Sequence, residues 1–230
     1  AQVQALTTGQ VAALTEAQVG KLTTTQVAAL SAKQIVGMET ADLAALSSDQ
    51  LQALSASAVA ALSTAQVASL TTAQVSKLTA NQVKSLSGTQ VAALTEAQVG
   101  ELTTAQVSVL SATQVKAMET ADVAKLSTAQ IQAVSASAVA AMSTAQVKAL
   151  TTTQAEKLTA GQVASLSATQ VAGLETEDLA KFSSSQLQAL NATTVAALST
   201  AQVAALTTDQ IDKLTATQVK ALTTAQVASL

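Results

Sequence analysis

Apolar residues return at a fixed beat. Leu6, Leu14, Leu22 and Leu30, then Met38, Leu46 and Leu54, continue every eight residues to Leu230 without an insertion. With this position called h, the next octad runs a to h. Position a is Ser or Thr at 24 of 28 sites, d is Gln at 23 of 29, and h is Leu at 24 of 29. Position e is Val, Ile or Leu everywhere except Ala155. Ala fills most of the remainder, giving the consensus T-T-A-Q-V-A-A-L.

An eight-residue period suits few backbones. On a continuous α-helix it drifts by roughly 80° per repeat, so the Val/Leu stripe winds around the axis and never faces one partner. The same drift excludes a heptad coiled coil. On a strand, e and h point to opposite faces, and the Ala, Gln and Lys between them are poor strand formers. Short helices fit. S/T-x-x-Q from a to d is a capping box, in which the hydroxyl accepts from the N–H at d and the Gln reaches back to the N–H at a. An N-cap every eight residues predicts a helix start every eight residues, with b to h making about two turns. Positions e and h then lie one above the other. Glycine sits at scattered phases (Gly9, Gly20, Gly37, Gly88), so the turns need no left-handed residue.

One octad cannot fold alone, because burying one Val and one Leu does not offset the ordering of the segment. Stability has to come from stacking many octads. The predicted fold is all-α: a helical solenoid with one very short helix per repeat, continuous over residues 1–230. A longer period lies over the short one. Glu39-Thr-Ala-Asp42 returns at Glu119 to Asp122 and as Glu-Thr-Glu-Asp at Glu175 to Asp178. Ser55 to Ala61 returns at Ser135 to Ala141 and as Asn191 to Ala197. The superrepeat landmarks are therefore 39–61, 119–141 and 175–197. The third unit is shorter by three whole octads, which points to about three helices per coil.

Composition removes most chemistry. The chain has no His, Cys, Trp, Tyr or Pro, its one aromatic is Phe182, and all eleven basic residues are Lys against fourteen acids. There is thus no imidazole base, thiolate, zinc finger or disulfide, and no base to activate any of the many hydroxyls. No catalytic residue and no cofactor is expected. The lack of Arg and the net charge of −3 argue against nucleic acid as a partner. Apolar runs of four or five residues are far too short for a membrane span of about 20.

The sharpest departures are acidic. Glu39 with Asp42, Glu119 with Asp122, and Glu175 with Glu177 and Asp178 are the only candidate metal ligands. The preferred reading is that acids in a first helical turn favour the helix dipole and replace the usual capping pair. The Ser/Thr row at a and b is the other candidate, as a regular face for ice or glycan, although Glu16, Glu96 and many Ala interrupt it. Lys21, Lys77, Lys84 and Lys125 fall at f or g and read as solvation. Asn191-Ala192-Thr193 is a formal glycosylation sequon that reads as a cap.

The octads Leu70-Thr-Thr-Ala-Gln-Val-Ser-Lys-Leu78 and Leu198-Ser-Thr-Ala-Gln-Val-Ala-Ala-Leu206 resemble the L-T-T-A-Q-V/I-A-A tracts of very large bacterial secreted or surface proteins, some adhesin-like. The resemblance covers the whole chain and implies an extracellular or cell-surface setting without catalytic residues. The opening L-T-x-x-Q-V is also similar to the first helix of TAL-effector repeats, but those repeats are several times longer and bind DNA. The chain opens in mid-octad at Ala1-Gln2-Val3 without a leader pattern, which reads as a segment of a longer polypeptide or a processed product. The functional expectation is a structural segment: a rod, a spacer or an end-to-end scaffold. Its partners are expected to be neighbouring repeats or other copies meeting at uncapped ends, and a binding module for ice, glycan or protein is the alternative.

Overall fold

A computed structural model describes residues 3–230. Among these residues there are one 3-10 helix (Val3–Ala5) and 28 α-helices, one per octad, from α1 (Thr8–Ala12) to α28 (Thr224–Val227), and no strand. Each helix starts where the sequence places its cap. Thr71 is extended at φ −71°, ψ 156°, and its hydroxyl accepts from the N–H of Gln74 to open α9 (Thr72–Lys77).

The helices are shorter than the predicted b-to-h stretch. They span four to six residues and close at e, f or g, and where h is the C-cap it turns extended, as at Leu78 (φ −54°, ψ 138°). Where h is the C-cap, two successive extended residues, h and a, redirect the chain, and from Leu30 to Leu206 the h side chain stays inside. The h amide is still satisfied, since Leu78 N–H donates to the carbonyl of Val75 at 3.2 Å.

Two compact units result, the first ending at Met118 and the second beginning at Glu119. Within each, helices pack on the third helix along. In the first unit one column comprises α1, α4 (Ala32–Val36), α7 (Ala56–Ala60), α10 (Ala80–Ser85) and α13 (Thr104–Ser108). Another contains α3 (Thr24–Ala28), α6 (Ser48–Ala53), α9 and α12 (Glu96–Gly100). In the second unit α16 (Thr128–Ala133), α19 (Thr152–Lys157), α22 (Thr176–Ala180), α25 (Thr200–Ala204) and α28 form such a column. A coil is therefore three helices and 24 residues, the distance from Ser48 to Thr72. The three octads absent from the third superrepeat amount to one whole coil.

Three of the eight positions point inward. From Val11 to Val203 the e residues are buried to within a few per cent, and the h residues from Leu30 to Leu206 nearly as completely. Met38, Met118, Val134, Met142 and Phe182 occupy h as well as Leu does, so the core is a narrow apolar strip with no need for rings. Position d joins them, although it is polar.

No described residue has a positive φ, glycines included, in keeping with their scatter over the octad. Most are replaceable. At Gly161, exposed in α20 (Ala160–Ser165), an added Cβ meets nothing nearer than Thr159 Oγ1 at 3.9 Å. We expect Gly161→Ala to stabilise the chain by about 0.5–1 kcal/mol, read as a raised urea midpoint. Gly37 differs, since an added Cβ would meet Thr8 Cγ2, so a side chain there would force Thr8 to turn away where α4 approaches α1.

Candidate functional site

The chemistry of this molecule is concentrated at position d. Gln106 is representative. Its backbone N–H donates to Thr103 Oγ1 at 3.2 Å, and its Oε1 accepts from Thr103 N–H at 2.7 Å, completing the capping box. Its Nε2 goes elsewhere, donating to the carbonyls of Val75 at 2.8 Å and Leu78 at 2.7 Å, residues e and h of the coil beneath. One side chain thus closes the start of its own helix and the end of a helix in the previous coil. Those carbonyls are among the groups a helix C-terminus leaves without intrahelical partners.

The same bridge recurs through both units. Gln74 donates to Leu43 and Leu46 at 2.8 and 2.7 Å, and Gln98 to Val67 and Leu70 at 3.1 and 2.6 Å. In the second unit Gln162 donates to Ile131 and Val134, both at 2.7 Å, and Gln202 to Val171 and Leu174 at 3.0 and 2.7 Å. The residue at d is always 31 and 28 positions after its acceptors. These amides are buried, Gln74 and Gln106 at 2% exposure each. A buried amide is tolerated only when its donors and acceptor are all engaged, and here they are.

This second bond is the feature that the capping pattern does not disclose. A capping box accepts Glu as readily as Gln at its third helical residue. Yet no d position in the chain carries Glu. That exclusion was the available signal: the site requires an acceptor and a donor on one side chain, which Glu lacks when ionised.

The ladder is interrupted at Asp42, Ala58, Asp122, Ala138, Asp178 and Thr194. Three of these are the acidic candidates. Glu39 and Asp42 lie at the start of α5 (Thr40–Ala45) in the first unit, Glu39 exposed and Asp42 buried. Glu119 and Asp122 open α15 (Thr120–Lys125), where Glu119 N–H donates to Asp122 Oδ2 at 3.1 Å. Glu175, Glu177 and Asp178 open α22, with only Asp178 buried. α15 packs on α18 (Thr144–Lys148) and α22 on α19 and α25, so the two acidic groups of the second unit stand in different columns. Among the described residues no three carboxylates gather around one point.

The charged groups are otherwise superficial. Lys148 Nζ lies 3.2 Å from Glu175 Oε1, with both side chains more than half exposed, a contact worth at most about 1 kcal/mol. Lys157 donates to Glu156 at 2.8 Å and holds that carboxyl below its ordinary range. Burial pushes the Asp178 carboxyl up, against the opposing effect of hydrogen bonds from the Thr152 hydroxyl and the Glu175 N–H. Lys21, Lys77, Lys84 and Lys125 are exposed, as their phase predicts. Asn191 acts as a cap, its Oδ1 accepting from Thr194 N–H at 2.9 Å. The hydroxyls at a are spent on capping, while Thr64, Thr72 and Thr104 at b face solvent. A shallow, mostly apolar depression lined by Thr8, Ala32, Lys33, Val36 and Ala61 lies over the α1–α4–α7 column. No described helix is long and apolar enough to cross a membrane.

Comparison with known proteins agrees with this repeat-by-repeat construction. A family model described as ALTTAQ repeat matches residues 1–32, 35–72, 115–152, 139–168, 171–208 and 179–216. No curated protein matches the chain.

Proposed function

This chain belongs to the ALTTAQ repeat family, and from that premise we propose that it is a load-transmitting structural segment, a rod or spacer or an end-to-end scaffold, without catalysis. The observation that carries the reading is the glutamine ladder. In about two thirds of the octads the most chemically capable side chain is buried, and it is committed to joining one coil to the next. The residues left outside are Ala, Ser, Thr, Lys and a few acids, which solvate a surface. In line with the repeat tracts it resembles, we place it in a bacterial surface or extracellular protein.

End-on contact is part of the proposal. Val219, Val227 and Leu230 are 50%, 52% and 54% exposed, whereas their counterparts at e and h in the interior are buried. A second copy meeting this face would cover them. Small-angle scattering and electron microscopy of residues 1–230 test the reading. Elongated particles that lengthen with concentration are expected. A compact monomer with a radius of gyration near the roughly 17 Å of an ordinary globule this size would refute it.

The alternative, a binding module, draws on the exposed Thr64, Thr72 and Thr104. Thermal-hysteresis and glycan-array assays distinguish it from the scaffold reading, which expects silence in both.

A further inference from the structure

Asp178 takes the place of a ladder glutamine but cannot do its work. Counting back 31 and 28 residues puts it over the carbonyls of Val147 and Leu150, the register at which Gln170 and Gln202 donate to Val139, Met142, Val171 and Leu174. A carboxylate has no N–H to give. The carboxyl lies against the coil beneath nonetheless, where the Thr152 hydroxyl, two residues past Leu150, is its polar neighbour. Asp178 is 2% exposed, and its Oδ2 is buried without a hydrogen-bond partner. An orphaned buried oxygen beside main-chain oxygens costs free energy unless a positive group joins them.

The sequence adds an independent observation. Glu stands at a in three octads, and these are the three in which d is Asp. Where d is Ala58 or Ala138, a remains Ser, and where d is Thr194 it is Asn191. Glu at a is therefore not a response to losing the glutamine. It accompanies the second carboxylate. On α22 the Glu175 side chain makes no cap bond and lies exposed at Lys148, within reach of its own helix start.

In the register of the ladder, two carboxylates, two main-chain carbonyls and a hydroxyl would make up an all-oxygen donor set. Water brings two hydrogens and no charge to such a set. A hard divalent cation of the calcium class accepts six to eight oxygens at about 2.3–2.6 Å in flexible geometry. We propose that Asp178 and Glu175, with the carbonyls of Val147 and Leu150 and the hydroxyl of Thr152, bind a calcium-class cation between two coils, as an ionic clasp where the amide bridge is missing.

Equilibrium dialysis of residues 1–230 against Ca²⁺ at constant ionic strength tests this. Asp178→Gln restores the ordinary ladder residue, so the variant is expected to remain folded by circular dichroism. It should retain about one calcium fewer per chain, and Glu175→Gln should bind at that site at least tenfold more weakly. Asp209→Asn, at an exposed c position, should bind as the parent does. Calcium should raise the parent's Tm by a few degrees more than it raises that of Asp178→Gln. No calcium retained at millimolar concentration, equal retention by Asp178→Gln, or full displacement by Na⁺ at matched ionic strength would each overturn the assignment. So would a parent Tm that responds to acid but not to calcium, since a proton on Asp178 would then be the positive group.

Discussion

Gln106→Glu will destabilise the first unit by about 2–5 kcal/mol at neutral pH, although the two residues are interchangeable in a capping box. The carboxylate keeps the bond from Thr103 N–H, but it loses the donor that reaches Val75 and Leu78 and places a negative charge against two carbonyl oxygens in a site 2% exposed. The proper control is Gln10→Glu. Gln10 makes the same capping bonds with Thr7, at 2.8 and 3.2 Å, on an exposed first coil. Its substitution should change stability by no more than about 0.5 kcal/mol. The sign of the pH effect follows from the charge. Burial raises the folded-state pKa of the new carboxyl above its unfolded value of about 4.3. Below that value the group is neutral in both states and the ionic part of the penalty vanishes. The penalty grows as pH rises through the window up to the raised folded value. Urea titrations of both variants at several pH values measure this. Equal losses for the two, or a Gln106→Glu deficit that does not shrink on acidification, would show that the amide bridge contributes little.

The contrast between these glutamines marks where sequence reading stops. Helix starts were legible because a capping box is local: Thr103 and Gln106 are three residues apart, and their bonds involve only each other's atoms. The inward phase of Val and Leu was legible because an exact eight-residue beat leaves no other consistent backbone. Three helices per coil was legible only through an accident of history, the loss of three octads from the third superrepeat. The helix ends came out shorter than expected. Extended backbone at Leu78 is set by corner geometry and by the partner of its carbonyl, which lies 28 residues away at Gln106. The amide bridge was hidden for the same reason. Nothing within one octad says where Nε2 points, and only the absence of Glu from d registers the requirement. Asp178 is the converse case. Its sequence neighbourhood reads as a first helical turn with helpful negative charge, while the orphaned Oδ2 is visible only once the coil beneath is in place.

Removing one octad should be far less harmful than removing half of one. Deleting Thr71–Leu78 joins Leu70 to Thr79, and every later residue keeps its phase. Each glutamine beyond the cut again finds an e and an h carbonyl 31 and 28 residues before it, now supplied by the neighbouring column. The three columns of a coil are built from the same octad, so exchanging one for another substitutes Val for Val and Leu for Leu at most positions. The chain has itself tolerated a related loss in its third superrepeat. Deleting Val75–Leu78 instead leaves a capping box with no e and no h. Two buried side chains disappear, worth roughly 3–6 kcal/mol together. The remaining four residues also shift the carbonyls presented to Gln82 and Gln98 out of register, undoing bonds now made to Leu51, Leu54, Val67 and Leu70. In a stack held by nearest-neighbour terms, a broken layer also uncouples the parts on either side of it. Thermal melts followed by circular dichroism should show one cooperative transition near the parent Tm for the eight-residue deletion. For the four-residue deletion they should show a lower or divided transition. Equal damage from both would mean that the columns are not interchangeable, and that a coil of three, not the single octad, is the smallest unit the fold can gain or lose.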